Sequence, residues 1–143
     1  MTRSTEFLVD VNVWVALLAE DHTFHGQAQD WYRQLGAGQA GLCRFVQLGV
    51  VRLLGNPTVV NSPVPASVAW SATEALLNDQ RVDFVPEPAN IGQIIPPLFR
   101  YRVPTRKLVA DVYLAAFAIA TGRRFVTWDN GFREFSGLDV QIL

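Results

Sequence analysis

Three aspartates in this 143-residue chain stand where a carboxylate has a role beyond solvation. Asp10 closes the apolar run Phe7-Leu8-Val9, and Asp129 closes Phe125-Val126-Thr127-Trp128. Asp111 is the only non-apolar position from Leu108 to Ala120, a segment of helical character that is apolar nearly all round. An isolated carboxylate in such surroundings costs several kcal/mol unless it is paired, hydrogen-bonded or bound to a cation, on the order of magnitude known for buried charges. Hard divalent cations prefer oxygen donors, so three gathered carboxylates amount to an acidic metal pocket. Such a pocket lowers the pKa of a bound water and offsets charge developing on a phosphodiester. Each aspartate also has a purely local explanation. Asp10 or Asn12 can cap a helix, Asp129-Asn130-Gly131 is turn-rich, and Asp111 can cap a helix that starts late.

These residues need a scaffold that brings strand ends together. Phe7 to Val9, Val82 to Val85, Phe125 to Thr127 and Leu138 to Leu143 read as strands. Val13, Trp14, Leu17 and Leu18 recur at helical spacing, and Phe24 to Leu35 forms a second helix closed by Gly36 and Gly38. Phe45 to Leu54 reads as a helix that stops at Gly55-Asn56-Pro57, and Ala66 to Asn78 as another. Ile91 to Arg100 is a weaker helix because Pro96 and Pro97 lie inside it. Thr105 to Thr121 is the clearest helix, with Thr105 expected as its N-cap and Gly122 at its exit. Strands alternating with helices predict an α/β fold, with a mostly parallel central sheet of four to five strands flanked by helices. At the carboxyl ends of such strands Asp10 and Asp129 share one crevice.

Composition bounds the rest. Half of the residues are hydrophobic and 17% charged, which excludes a disordered chain and fits one domain over residues 1–143. A net charge of −1 offers no broad positive field, so any polyanion must be held by a local basic patch or by metal. Cys43 is the only cysteine and cannot form an internal disulfide. No apolar run is long enough to span a bilayer, and the expected setting is the cytoplasm, with no membrane contact.

The segments themselves resemble a known family. Phe7-Leu8-Val9-Asp10-Val11-Asn12 resembles the opening strand–Asp–x–Asn signature of PIN-domain nucleases. Ala110-Asp111-Val112-Tyr113-Leu114-Ala115-Ala116 resembles their third acidic motif, and Thr127-Trp128-Asp129-Asn130-Gly131-Phe132 their closing Thr-x-Asp-x-x-Phe motif. The motifs come in family order and span most of the chain, most like the VapC toxins of toxin–antitoxin pairs. This resemblance implies a PIN-like three-layer sandwich and a Mg²⁺- or Mn²⁺-dependent endoribonuclease acting on RNA, often a tRNA or rRNA. It also implies a homodimer and neutralisation by a cognate antitoxin. By the same resemblance Asp10, Asp111 and Asp129 bind metal, Asn12 and Thr127 hydrogen-bond those acids, and Gln47 stands where the family commonly has a catalytic Glu. An amide brings no negative charge and cannot serve as a base at neutral pH, which suggests weaker metal affinity or reliance on one well-held ion.

Arg100, Arg102, Arg106 and Lys107 place four positive charges within eight residues ahead of the Asp111 helix, and are expected to hold RNA phosphates. The local alternative is a solvated loop. His22 and His25 are better explained by capping or exposure than by metal binding. Trp14, Trp31 and Trp70 are expected in the core. Other classes compete with a nuclease. An aspartyl phosphotransferase of the haloacid-dehalogenase type wants a second Asp where this chain has Asn12. A phospho-receiver domain wants an acidic pair and a late Lys that are not evident. A catalytically silent PIN-like binding module is made plausible by Gln47.

Overall fold

A computed structural model describes residues 4–100 and 102–143. Five short strands, β1 (Phe7–Val9), β2 (Ala40–Leu42), β3 (Val82–Phe84), β4 (Arg124–Thr127) and β5 (Val140–Ile142), form one sheet in the order β3-β2-β1-β4-β5, with every pair parallel. The helices between them are α1 (Val11–Leu18), α2 (His25–Arg33), α3 (Arg44–Leu54), α4 (Ala66–Leu76), α5 (Ile91–Leu98) and α6 (Leu108–Thr121). A 3₁₀ turn, Asn130–Glu134, follows β4. The chain runs outward from β1 to β3, then returns to the other side of β1 as β4. The reversal therefore falls between β1 and β4, where α/β sheets bind ligands at the carboxyl ends of their strands.

Parallel strands buried on both faces are apolar throughout, and β1 and β2 are fully buried. Leu8, Val9, Trp14, Phe117, Phe125 and Phe132 anchor the core at 2% exposure or less. Each such side chain contributes about 1.5–3 kcal/mol through burial. Trp14 is in the core as expected, whereas Trp31 and Trp70 are only half-buried at its margin. Two helical groups flank the sheet: α1 packs on α2 and α3, α3 on α4, and α5 on α6.

Three features depart from the sequence expectations. β2, Ala-Gly-Leu, was not expected as a strand, because it lacks β-branched or aromatic residues. Gly41 is required there because a Cβ would collide with the Phe7 carbonyl and lie 2.8 Å from Arg123 Nη1. The helix carrying Asp111 begins at Leu108 rather than at Thr105, and its N-cap is Lys107, which makes no side-chain cap bond. Thr105 instead supplies the carbonyl of a turn ahead of it, accepting from Leu108 N–H at 3.2 Å. Finally, Asp129-Asn130-Gly131 is not a hairpin but the start of the 3₁₀ turn, since β4 and β5 run parallel.

Candidate active site

β1 and β4 pair in register, with Val9 opposite Val126, so the residues just beyond them meet at one edge. Asp10 N–H donates to the Val126 carbonyl at 3.0 Å, which extends the ladder by one rung and fixes the Asp10 backbone. Asp10 also caps α1, its Oδ1 accepting from Val11 N–H at 2.7 Å. Asp129 does the same for the 3₁₀ turn, its Oδ1 accepting from Gly131 N–H at 2.8 Å. The capping explanation thus holds for one oxygen of each carboxylate, and leaves Oδ2 of each for other partners.

Thr127 binds these parts together. Its buried hydroxyl donates to Asp10 Oδ2 at 2.6 Å and accepts from Asp129 N–H at 3.0 Å and from Asn12 Nδ2 at 3.3 Å. A single hydroxyl group therefore contacts Asp10, Asn12 and the backbone of Asp129. Asp111 enters from the first turn of α6 and is half-buried rather than fully buried.

The three carboxylates feel one another's charge. Burial pushes the Asp10 carboxyl up to about 6; the Thr127 and Val11 hydrogen bonds pull it down, and the charges of Asp111 and Asp129 push it further up. Burial likewise raises Asp111, against the pull of Lys107. Asp129 is lowered, chiefly by its hydrogen bond from Lys107 Nζ at 2.6 Å. The donors are all oxygens, the set a hard cation favours. Asn12 Oδ1 is buried with no hydrogen-bond partner, an acceptor awaiting a water or another ligand of the site. Among the described residues, however, no three His, Cys, Asp or Glu side chains stand close enough to form a finished metal cage. The ammonium of Lys107 lies on Asp129 instead. The donor set fits a divalent cation, while one of its members, Asp129, is bonded to a tethered ammonium.

Asp111 and Asp129 open onto a groove of about 710 Å³ that is also lined by Arg102, Arg106, Lys107 and Phe135. The basic cluster divides in function. Arg106 and Arg100 are exposed. Arg102 is held in place: its guanidinium donates to the Leu98 and Glu134 carbonyls at 2.8 and 3.0 Å and lies over the Phe135 ring, 4.1 Å from its centroid.

Gln47, expected from the resemblance at a catalytic position, makes its hydrogen bonds with residues other than the carboxylates. It is wholly buried on α3, its Nε2 donating to Thr73 Oγ1 at 3.0 Å and its Oε1 accepting from Arg44 at 2.6 Å. The Nε2 bond thus spans the α3–α4 contact while the Oε1 bond stays within α3, and no hydrogen bond joins the amide to the aspartates. Thr73 in turn spends its only hydroxyl proton on the Trp70 carbonyl at 2.6 Å. With its proton on Trp70, Thr73 accepts from a donor at position 47, which an amide offers and a carboxylate does not. His22 and His25 serve local geometry: His22 Nδ1 accepts from Phe24 N–H at 3.0 Å, and His25 Nδ1 lies 2.8 Å from the Ala16 carbonyl.

Two measurements follow. Gln47→Glu should leave Mn²⁺ affinity in calorimetry unchanged and lower unfolding stability by about 1–3 kcal/mol, the cost of an unsatisfied buried polar group. Tighter Mn²⁺ binding by that variant would restore position 47 to the metal site. For Asp10, the folded-state pKa exceeds the unfolded one, so the folded chain binds more protons between about pH 4 and 6. Stability from this group is greatest below that window, falls as pH rises through it, and stays low above it. In metal-free protein, Asp10→Asn removes this loss. Its stability relative to wild type should shift in the variant's favour by about 2 kcal/mol from pH 4 to pH 7 in urea unfolding. A pH-independent difference would contradict the burial argument.

Comparison with known proteins agrees with this architecture. A PIN domain model matches residues 7–138. Ribonuclease VapC41 of Mycobacterium tuberculosis is 32% identical over 142 residues, covering 95% of this chain and 97% of that protein. The crystal structure of M. tuberculosis VapC20, a sarcin-ricin loop cleaving toxin, superposes with a TM-score of 0.68 at 19% identity, covering 94% of this chain and 99% of that one. A chain of a toxin–antitoxin complex from Klebsiella pneumoniae superposes with a TM-score of 0.61 at 14% identity, covering 93% and 95%. The chain belongs to the PIN-domain family, among the VapC ribonucleases.

Proposed function

We propose that this protein is an endoribonuclease toxin that hydrolyses RNA phosphodiester bonds with Mg²⁺ or Mn²⁺ and is neutralised by a cognate antitoxin. The observation that carries the reading is the Thr127-centred cluster, which gathers Asp10, Asn12 and Asp129 at the edge of a groove shared by Asp111, Arg106 and Lys107. Membership of the VapC family supports RNA as the substrate, and the toxin–antitoxin complex among its structural neighbours supports an antitoxin partner. A homodimer and a cytoplasmic setting are part of the same proposal. Among the described residues no helix is long and apolar enough to cross a membrane.

The chain's own residues divide the work. Asp10, Asp111 and Asp129 would hold the cation, and Thr127, itself held by Asn12, keeps Asp10 oriented. When bound, a divalent cation supplies a water of lowered pKa and neutralises charge on the phosphodiester in the transition state. By donating to Oδ2, Thr127 locks Asp10 against rotation, so the carboxylate keeps one orientation without rearrangement during reaction. Arg106 is free to hold a backbone phosphate in the groove, whereas Arg102 shapes the groove wall through its contacts to Leu98, Glu134 and Phe135. Gln47 acts by packing α3 on α4 and is left out of the metal-binding set.

The reading is tested by incubating the purified protein with mixed RNA, with Mn²⁺ and with chelator. Cleavage should require the cation and fall at least about a hundredfold in Asp10→Asn and Asp111→Asn, the scale on which metal ligands and their supports act. Arg106→Ala should weaken RNA binding and reduce the salt slope by about 0.7 of a counterion, as expected for one phosphate contact on a single strand. Cation-independent cleavage, or full activity in both aspartate variants, would overturn the assignment.

A further inference from the structure

Lys107 occupies an unusual place. It is the N-cap of α6, where the helix presents its positive end, and it makes no side-chain cap bond. A cation there is disfavoured by the helix dipole, and Ser, Thr, Asn or Asp would satisfy the free N–H groups better. Helix stability therefore does not explain the residue. Its Nζ instead reaches across to Asp129 Oδ2 at 2.6 Å, linking the starts of α6 and the 3₁₀ turn. The ammonium also feels the charges of Asp111 and Asp10. Its side chain is 65% exposed against 28% for Asp129, so it reaches the carboxylate from the solvent side on a flexible stem.

We infer that Lys107 is a built-in counter-ion that competes with the divalent cation for Asp129, so that metal binding requires its ammonium to swing away. Two features of this contact carry the inference, which rests on the metal-dependent reading above. Among the described residues no three acidic side chains stand close enough to hold a metal ion, and the carboxylate oxygen that Asp129 would offer is bonded to Lys107. The contact is also partly exposed and made by a mobile, strongly hydrated group, the kind of ion pair that is readily exchanged. The tethered cation relieves repulsion among the clustered carboxylates while the metal is absent, and it sets the divalent-ion concentration at which the site fills.

The test is calorimetric Mn²⁺ titration of the full chain, with no RNA and no activity readout. Lys107→Met should bind Mn²⁺ about tenfold more tightly than wild type, the order expected for releasing a charge-assisted hydrogen bond. Lys107→Arg, which keeps a cation at this position, should bind close to wild type. The gain should vanish when Lys107→Met is compared with its parent in an Asp129→Asn background, because the competition runs through that carboxylate. The metal-free Lys107→Met protein should also unfold at a lower temperature than wild type. Equal Mn²⁺ affinity in wild type and Lys107→Met, with binding still dependent on Asp10, would overturn the competition and leave the metal site standing. A gain that persists in the Asp129→Asn background would reduce Lys107 to a general field effect and overturn the contact-based account. Failure of every form to bind Mn²⁺ would overturn the metal reading and this inference together.

Discussion

The hydroxyl of Thr127 carries the geometry of the site. By donating to Asp10 Oδ2 and accepting from Asn12 and from the backbone of Asp129, it converts the pairing of β1 with β4 into a fixed relation between two carboxylates. That relation depends on sheet register. A slip by one residue would turn Thr127 to the opposite face and leave the Asp10 carboxylate buried without its donor. The buried carboxylate is costly in the metal-free chain. The fold tolerates the cost because parallel pairing, the α1 cap and the Thr127 bond all hold Asp10 in the same orientation. Such a preorganised acidic edge suits the cation-assisted reaction proposed above.

Much of this was legible in the chain itself. A run of apolar residues ending in Asp announced β1, and Thr-Trp-Asp after Phe-Val announced β4. Together they implied the sheet edge at which a ligand is bound. Alternation of strands and helices gave the parallel sheet, and Asp111 was visible as the one polar residue in an apolar helix. β2 was hidden because Ala-Gly-Leu carries no strand preference. Its residues are chosen by the close approach of Phe7 and Arg123 rather than by local tendency, and such long-range contacts leave no periodic trace.

The instructive departures are Gln47, Thr105 and Lys107. Position 47 suggests a missing acid when read by family pattern, yet the amide answers a local demand for a donor from Thr73 and an acceptor for Arg44. Thr105 looked like a cap because Thr after Pro is a good one, but the chain delays the helix until Leu108 and places Lys107 at its start. That delay puts the ammonium against Asp129, 22 residues away in sequence, a pairing that no local rule reveals. Four clustered basic residues read as one patch divide, once folded, into a buttress (Arg102), a counter-ion (Lys107) and exposed charges (Arg100 and Arg106).

The central proposal is that the carboxylates of Asp10, Asp111 and Asp129 together hold a divalent cation. Anomalous diffraction from crystals equilibrated with Mn²⁺ addresses it without reference to activity. The account predicts a strong manganese peak bounded by these three side chains, with the Lys107 ammonium displaced from Asp129. A peak elsewhere on the protein, with Lys107 still seated on Asp129 and no density between the carboxylates, would contradict it.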